Sequence, residues 1–276
     1  MLHSVLLSAL GAGLVAILAT VAIERFGGKL GGLLASLPST IIPASIGFWV
    51  SAEVTSDFQD ALFAVPGGMF VTAGFLLAWR VMPPRLRRGG LYRRLAWMTV
   101  SSLGLWALGA ALLTWFLRWQ PWPMMAVGAA FFGAQLTLGI LACRSNPPAP
   151  AGSKRVGAIV LGLRGLLAAT AIGASVWIAG LGVPILAGMA SVFPAIFLTT
   201  MAGLWLSQGE AVQAGAVGPM ILGSASVSAY CLLSAWTFPE WGPAVGGLFA
   251  WLGAVLAVSL PAWKAFNRPS TDAKPT

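Results

Sequence analysis

Apolar residues run along this chain in long, nearly uncharged stretches at about 2–23, 30–51, 61–79, 95–117, 120–143, 156–179, 184–207, 212–237 and 242–263. A bilayer core of roughly 30 Å needs about 20 apolar residues per helix, so each stretch predicts a membrane-spanning helix, about nine in all. Breakers and charges separate them: Glu24-Arg25, 57–60 with its two aspartates, Pro83-Pro84, Asn146-Pro147-Pro148, 180–184 and Pro239-Glu240. The 211–240 stretch is long enough to tilt or bend. The first span has only Met1-Leu2-His3-Ser4 before it and ends in Glu24-Arg25. It lacks both the basic leader and the small-residue cleavage site of a signal peptide, so it is expected to be retained.

Composition gives the same class. Of 276 residues 58% are hydrophobic and 8% charged, with a mean hydropathy of +0.86. A water-soluble domain carries about a quarter of its residues as charges. The net charge of +9 would elsewhere suggest nucleic acid, but here the basic residues sort by loop. Arg80, Arg85, Arg87, Arg88, Arg93 and Arg94 crowd the connection after the third span, which marks it cytoplasmic. Fourteen of sixteen basic residues then obey one topology, N-terminus outside and C-terminus inside. Arg118 alone falls outside, and Arg164 lies within a span. Most tryptophans sit near span ends, as interfacial residues do; Trp106 and Trp251 are the mid-span exceptions.

An internal repeat emerges on shifting the chain by 156 residues, which aligns Pro38 with Pro194 and Gly47-Phe48-Trp49-Val50-Ser51 with Gly203-Leu204-Trp205-Leu206-Ser207. Trp106-Ala107-Leu108-Gly109-Ala110 likewise resembles Trp251-Leu252-Gly253-Ala254. The expected organisation is all-α: a first four-helix repeat over 1–117, a connecting helix and cytoplasmic loop over 118–155, a second four-helix repeat over 156–264, and a tail over 265–276. One connecting helix between two even-numbered repeats inverts the second, a recurring plan of secondary transporters.

The paired segments 30–51 and 186–207 each carry Leu-x-Gly, five residues, then proline. Proline in a helix removes a backbone hydrogen bond, and lipid cannot supply a substitute. In the first copy Ser36, Pro38, Ser39, Thr40 and Pro43 predict a true interruption, with Ser39 or Thr40 capping the next helix. In the second, Pro194 alone is expected only to kink. Interrupted spans at matching positions are the best pointer to a transporter's binding site, so these residues are candidate ligand contacts. Arg164, costly inside a bilayer, is a functional candidate that favours an anionic or zwitterionic ligand; snorkelling to the headgroups is the competing account. Thr199 and Thr200 follow the second proline and join the list. Gln135, Ser224, Ser226 and Ser228 are expected to be interhelical hydrogen-bonding or close-packing positions.

No Asp or Glu falls mid-span, the only histidine is His3, and there is no Walker A, metal-ligand or Ser/His/Asp pattern. The chain is therefore expected to be no enzyme, with no catalytic residue, metal or cofactor and no nucleic-acid partner. Cys143 and Cys231 are expected to be packing residues.

The segment Gly182-Val183-Pro184-Ile185-Leu186-Ala187-Gly188-Met189-Ala190-Ser191-Val192-Phe193-Pro194 resembles the GlpM-type inner-membrane proteins, short four-helix proteins with Ala-Gly followed by Phe-Pro. The first half departs from this pattern, with Leu37-Pro38 in place of Phe-Pro. The resemblance implies two such units fused in opposite orientation, and an accessory or scaffold role in envelope or exopolysaccharide synthesis, with envelope-assembly partners. The principal expectation from architecture is a bacterial inner-membrane transporter, embedded in lipid, moving a small anionic or zwitterionic solute or a lipid headgroup by alternating access.

Overall fold

A computed structural model describes residues 2–26, 37–85, 89–145 and 157–266, and every regular element among them is helical. In chain order these are α1 (Leu2–Phe26), α2 (Ile42–Ser51), α3 (Thr55–Val81), α4 (Leu91–Trp119), α5 (Met124–Arg144), α6 (Ala158–Ala179), α7 (Pro184–Ser191), α8 (Ala195–Gln208) and α9 (Glu210–Ala254), the last followed by a π-helical turn and α10 (Leu260–Phe266). Seven helical stretches among the described residues are long and apolar enough to cross a membrane. Their outer faces are apolar too: Leu7 is 72% exposed and Leu108 59%. Such surfaces suit lipid and not water. This is the architecture of a multi-pass membrane protein.

Local chemistry sets the helix ends. Pro43 and Pro184 sit in the first turns of α2 and α7, where a missing N–H costs nothing. Residues 57–60, expected to separate two spans, instead belong to α3. Val54 is extended and Asp57 lies in the first turn, where a carboxylate favours the positive end of the helix dipole. The long apolar stretch Val212–Ala265 reverses at Gly242, whose φ of 73° only glycine adopts readily. Beyond that bend the chain returns along itself: Thr237 Oγ1 donates to the Gly246 carbonyl at 2.8 Å, and Gly253 lies against Leu233.

Two antiparallel pairs form the centre. In the first, α1 and α6 approach so closely that a Cβ on Gly13 would lie 3.0 Å from the Gly165 carbonyl oxygen, and one on Gly165 would lie 3.3 Å from that of Gly13. The second pair is α3 with the first leg of α9, and α5 lies across both of them. Gly128 of α5 meets the Phe63 carbonyl, and Gly139 meets Leu222.

Proline explains a reciprocal feature of the α3–α9 pair. The helical donor for the Trp79 carbonyl would be residue 83, and that for the Ala235 carbonyl residue 239, but both are proline. Gln213 Nε2, from α9, donates to the Trp79 oxygen at 2.8 Å; Gln59 Nε2, from α3, donates to the Ala235 oxygen at 3.1 Å. Each helix thus repairs the proline-made defect of the other. An unpaired buried carbonyl costs about 1–3 kcal/mol. Gln213→Leu and Gln59→Leu are each expected to lower the melting midpoint of the detergent-solubilised protein, Gln213 more because it is fully buried. Unchanged midpoints would mean that the carbonyls find other partners.

Candidate functional site

Both candidate segments contain a non-helical stretch among the described residues. In the first, Leu37 to Ile41 is non-helical, with Ser39 N–H bonded to the Leu37 carbonyl at 2.9 Å, before α2 starts at Ile42. The N-cap is Ile41 and it makes no side-chain cap, so Ser39 and Thr40 are not the caps expected. Ser36 lies outside the described residues. The second segment is broken outright and not merely kinked: α7 ends at Ser191, Val192 has φ −105° and ψ 23°, Pro194 has ψ 39°, and α8 begins at Ala195. The reason is a partner for the freed backbone. Thr72 Oγ1 of α3 donates to the Val192 carbonyl at 3.1 Å and itself accepts from Trp106 Nε1 at 3.0 Å. Trp106 also sets its ring edge-on to Phe193 at 5.2 Å. The mid-span tryptophan of the first half therefore braces the break of the second.

The two breaks meet at one cavity of about 500 Å³ between α1, α3, α6, α8 and α9. Ser39 and Thr40 reach it from the first break, and Ser191, Val192 and Phe193 from the second. Its polar lining is completed by Thr20, Thr200, Ser224, Ser226 and Arg164, against apolar walls that include Met69, Ile172, Phe197 and Val227. Pro38 and Pro194 are buried in the backbone turns behind the lining, and Pro43 packs on Gly11.

Arg164 faces inward. Only 6% of it is exposed, which disposes of snorkelling to lipid headgroups. Its guanidinium donates to three threonine hydroxyls on two helices: Nη1 to Thr20 Oγ1 of α1 at 2.9 Å, and, on α8, Nη2 to Thr200 Oγ1 at 2.9 Å and Nε to Thr199 Oγ1 at 3.2 Å. Each hydroxyl passes its own proton to a backbone carbonyl one turn back, Thr20 to Ala16 and Thr200 to Ile196, so all three present oxygen to the arginine. The hydroxyls orient the fork without cancelling its charge. Such a wall can accept a carboxylate or phosphate in bidentate fashion, while the aromatic and aliphatic side holds an apolar body.

Arg164 and Thr200 thus come together with Ser39 and Thr40 around one space, and Thr199 joins them through its hydrogen bond from Arg164. Thr20 was not anticipated; its sequence signal is a hydroxyl one turn beyond the small residues Ala12 and Ala16, on the face that meets α6. Gln135 instead bridges helices, donating to Ser224 Oγ at 3.2 Å and accepting from Ser228 at 2.7 Å, the interhelical role expected of it. Among the described residues no group of three His, Cys, Asp or Glu could hold a metal.

No family model matches the chain, and no curated protein or solved structure matches it either. The GlpM-type resemblance rests on the residues of 182–194 and the helix count.

Proposed function

We propose that this protein is an inner-membrane secondary transporter of nine spans, in which two inverted four-helix repeats bind a small anionic or zwitterionic solute, or a lipid phosphate headgroup, between their broken helices. The observation that carries the proposal is the convergence of both breaks on one cavity whose wall bears a buried, oriented guanidinium. Intramembrane arginines and paired discontinuous helices are both hallmarks of substrate sites.

Reciprocal contacts support the inverted relationship. Gly13 and Gly165 exchange close approaches, and Gln59 and Gln213 exchange carbonyl bonds across positions 156 residues apart, Trp79 with Pro83 and Ala235 with Pro239. Trp49 packs on Phe238 at 6.0 Å, and Trp205, its partner in the repeat, on Trp79 at 5.8 Å. A pseudo-two-fold axis in the membrane plane generates such pairs. Exchanging the conformations of the halves then exposes the cavity to each side in turn.

The experiment is uptake into proteoliposomes of radiolabelled phosphate, succinate and phenylalanine, with fluorescent phosphatidylglycerol to sample the lipid headgroup. At least one is expected to cross faster than in protein-free liposomes. If none does, while the protein still assembles with envelope-synthesis partners, the scaffold role implied by the GlpM-type resemblance replaces transport.

A further inference from the structure

A second recess lies on the outside of the helix assembly, away from the Arg164 cavity. It has a volume of about 550 Å³ and runs between the second half of α4 and the short helix α7. Trp106, Ala110 and Thr114 line it along α4, Met189 and Ala190 line it along α7, and Trp115, Arg118 and Trp119 stand at one end. Trp115 and Trp119 are 67% and 73% exposed, and Arg118 is exposed beside them.

Three observations point to what fills it. First, Arg118 is the one loop-side basic residue that the topology places outside, and it has no hydrogen bond or ion pair among the described residues; the ion pair found there joins Arg94 to Glu210. Its position in the last turn of α4 favours a cation, but brings no counter-charge. Second, Thr114 lies one turn before Arg118, and its buried hydroxyl oxygen has no hydrogen-bond partner among the described residues. Third, twelve residues separate Trp106 from Arg118, about 18 Å along the helix axis, against about 15 Å for one leaflet's hydrocarbon. The recess is therefore apolar over one leaflet's depth and basic at its interfacial end.

We propose that this recess is a binding site for a glycerophospholipid of the outer leaflet. An acyl chain lies along the groove toward Trp106, and the phosphate pairs with Arg118 between the two interfacial tryptophans. Rotation about the Thr114 χ1 bond turns its hydroxyl onto a phosphate or ester oxygen. The groove wall on α7 belongs to the broken span that ends at Ser191, so the lipid seats directly against one of the elements that form the cavity.

The test is native mass spectrometry of the full chain released from detergent, titrated separately with dioleoylphosphatidylglycerol, dioleoylglycerol and glycerol phosphate. The phosphatidylglycerol is expected to bind at least about tenfold more tightly than dioleoylglycerol, as a charge-assisted phosphate contact requires. Glycerol phosphate, lacking the chains, is expected not to bind. Arg118→Gln should weaken the phospholipid about tenfold, Thr114→Val should weaken it less, and Arg144→Gln, an exposed arginine elsewhere, should leave it unchanged. Arg118 is exposed at a helix end, so its replacement leaves the core intact. Equal binding of dioleoylglycerol, or undiminished phospholipid binding by Arg118→Gln, overturns the proposal. So does a protein dimer that Arg118→Gln dissociates, since the groove would then be filled by a second copy.

Discussion

Replacing Arg164 by alanine is expected to abolish uptake of the transported solute while the protein still folds and accumulates. A hydrogen bond to a charged group contributes about 1.5–3 kcal/mol, so losing the contact weakens ligand binding by about 10- to 100-fold. Stability responds differently. A buried guanidinium carries a desolvation cost, and its removal relieves that cost. The three threonines keep their own hydrogen bonds to Ala16, Ala195 and Ile196 when the arginine is gone. Arg164→Lys preserves the charge but cannot span Thr20 and Thr200 with a planar fork, and is expected to retain only a fraction of the activity. Uptake in proteoliposomes, read beside the melting midpoint of each variant, separates the two effects. Normal uptake by Arg164→Ala would remove the anion site from the account.

Gly188 carries the largest expected effect on folding. A Cβ there would lie 2.0 Å from the Ala61 carbonyl oxygen and 3.1 Å from the Ala64 side chain, so α7 would be pushed off α3. The obstacle is backbone, which cannot swing aside as a side chain does. Alanine would raise helix propensity by about 1 kcal/mol, but overpacking costs about 1–3 kcal/mol or more, and a rigid contact lies at the upper end. Gly188→Ala is thus expected to lower the yield of folded protein sharply, and Gly188→Val to eliminate it. Gly133 faces open space on α5 and supplies the control, with Gly133→Ala close to wild type. Equal behaviour of the two alanine variants in size-exclusion profiles and melting curves would contradict the tight α3–α7 packing.

How much of this was legible in the chain follows from what kind of residue carries it. The helical class rests on the length of the apolar runs, and the candidacy of Pro38, Pro194 and Arg164 on residues that are costly within them. Such residues stand out without knowledge of neighbours. The depth of the second break did not, because it depends on Thr72, itself held by a hydrogen bond from Trp106, donating from another helix to the Val192 carbonyl and freeing it from its ladder. Thr20 was missed for the same reason: one threonine in an apolar helix is unremarkable until α6 lays an arginine beside it. The start of α3 was misplaced because Asp57 and Asp60 read as loop residues, although a helix N-terminus accepts carboxylates. The glutamine exchange had a usable signal, the match of Pro83 to Pro239 at the repeat spacing. Each of those prolines leaves a carbonyl four residues earlier in need of a donor.

Sidedness tests the central claim most directly. Arg25 and Leu181 stand 156 residues apart, at equivalent ends of α1 and α6, and both are exposed. Leu181 is a better probe position than its neighbour Gly182, whose φ of 73° strains any side chain. Each is changed to cysteine in a background lacking Cys143 and Cys231, and intact cells are treated with a membrane-impermeant thiol reagent. Leu181→Cys is expected to label in intact cells, and Arg25→Cys only once the membrane is opened. Labelling of both from outside, or of neither, would place the two repeats in the same orientation and contradict the inverted arrangement on which alternating access depends.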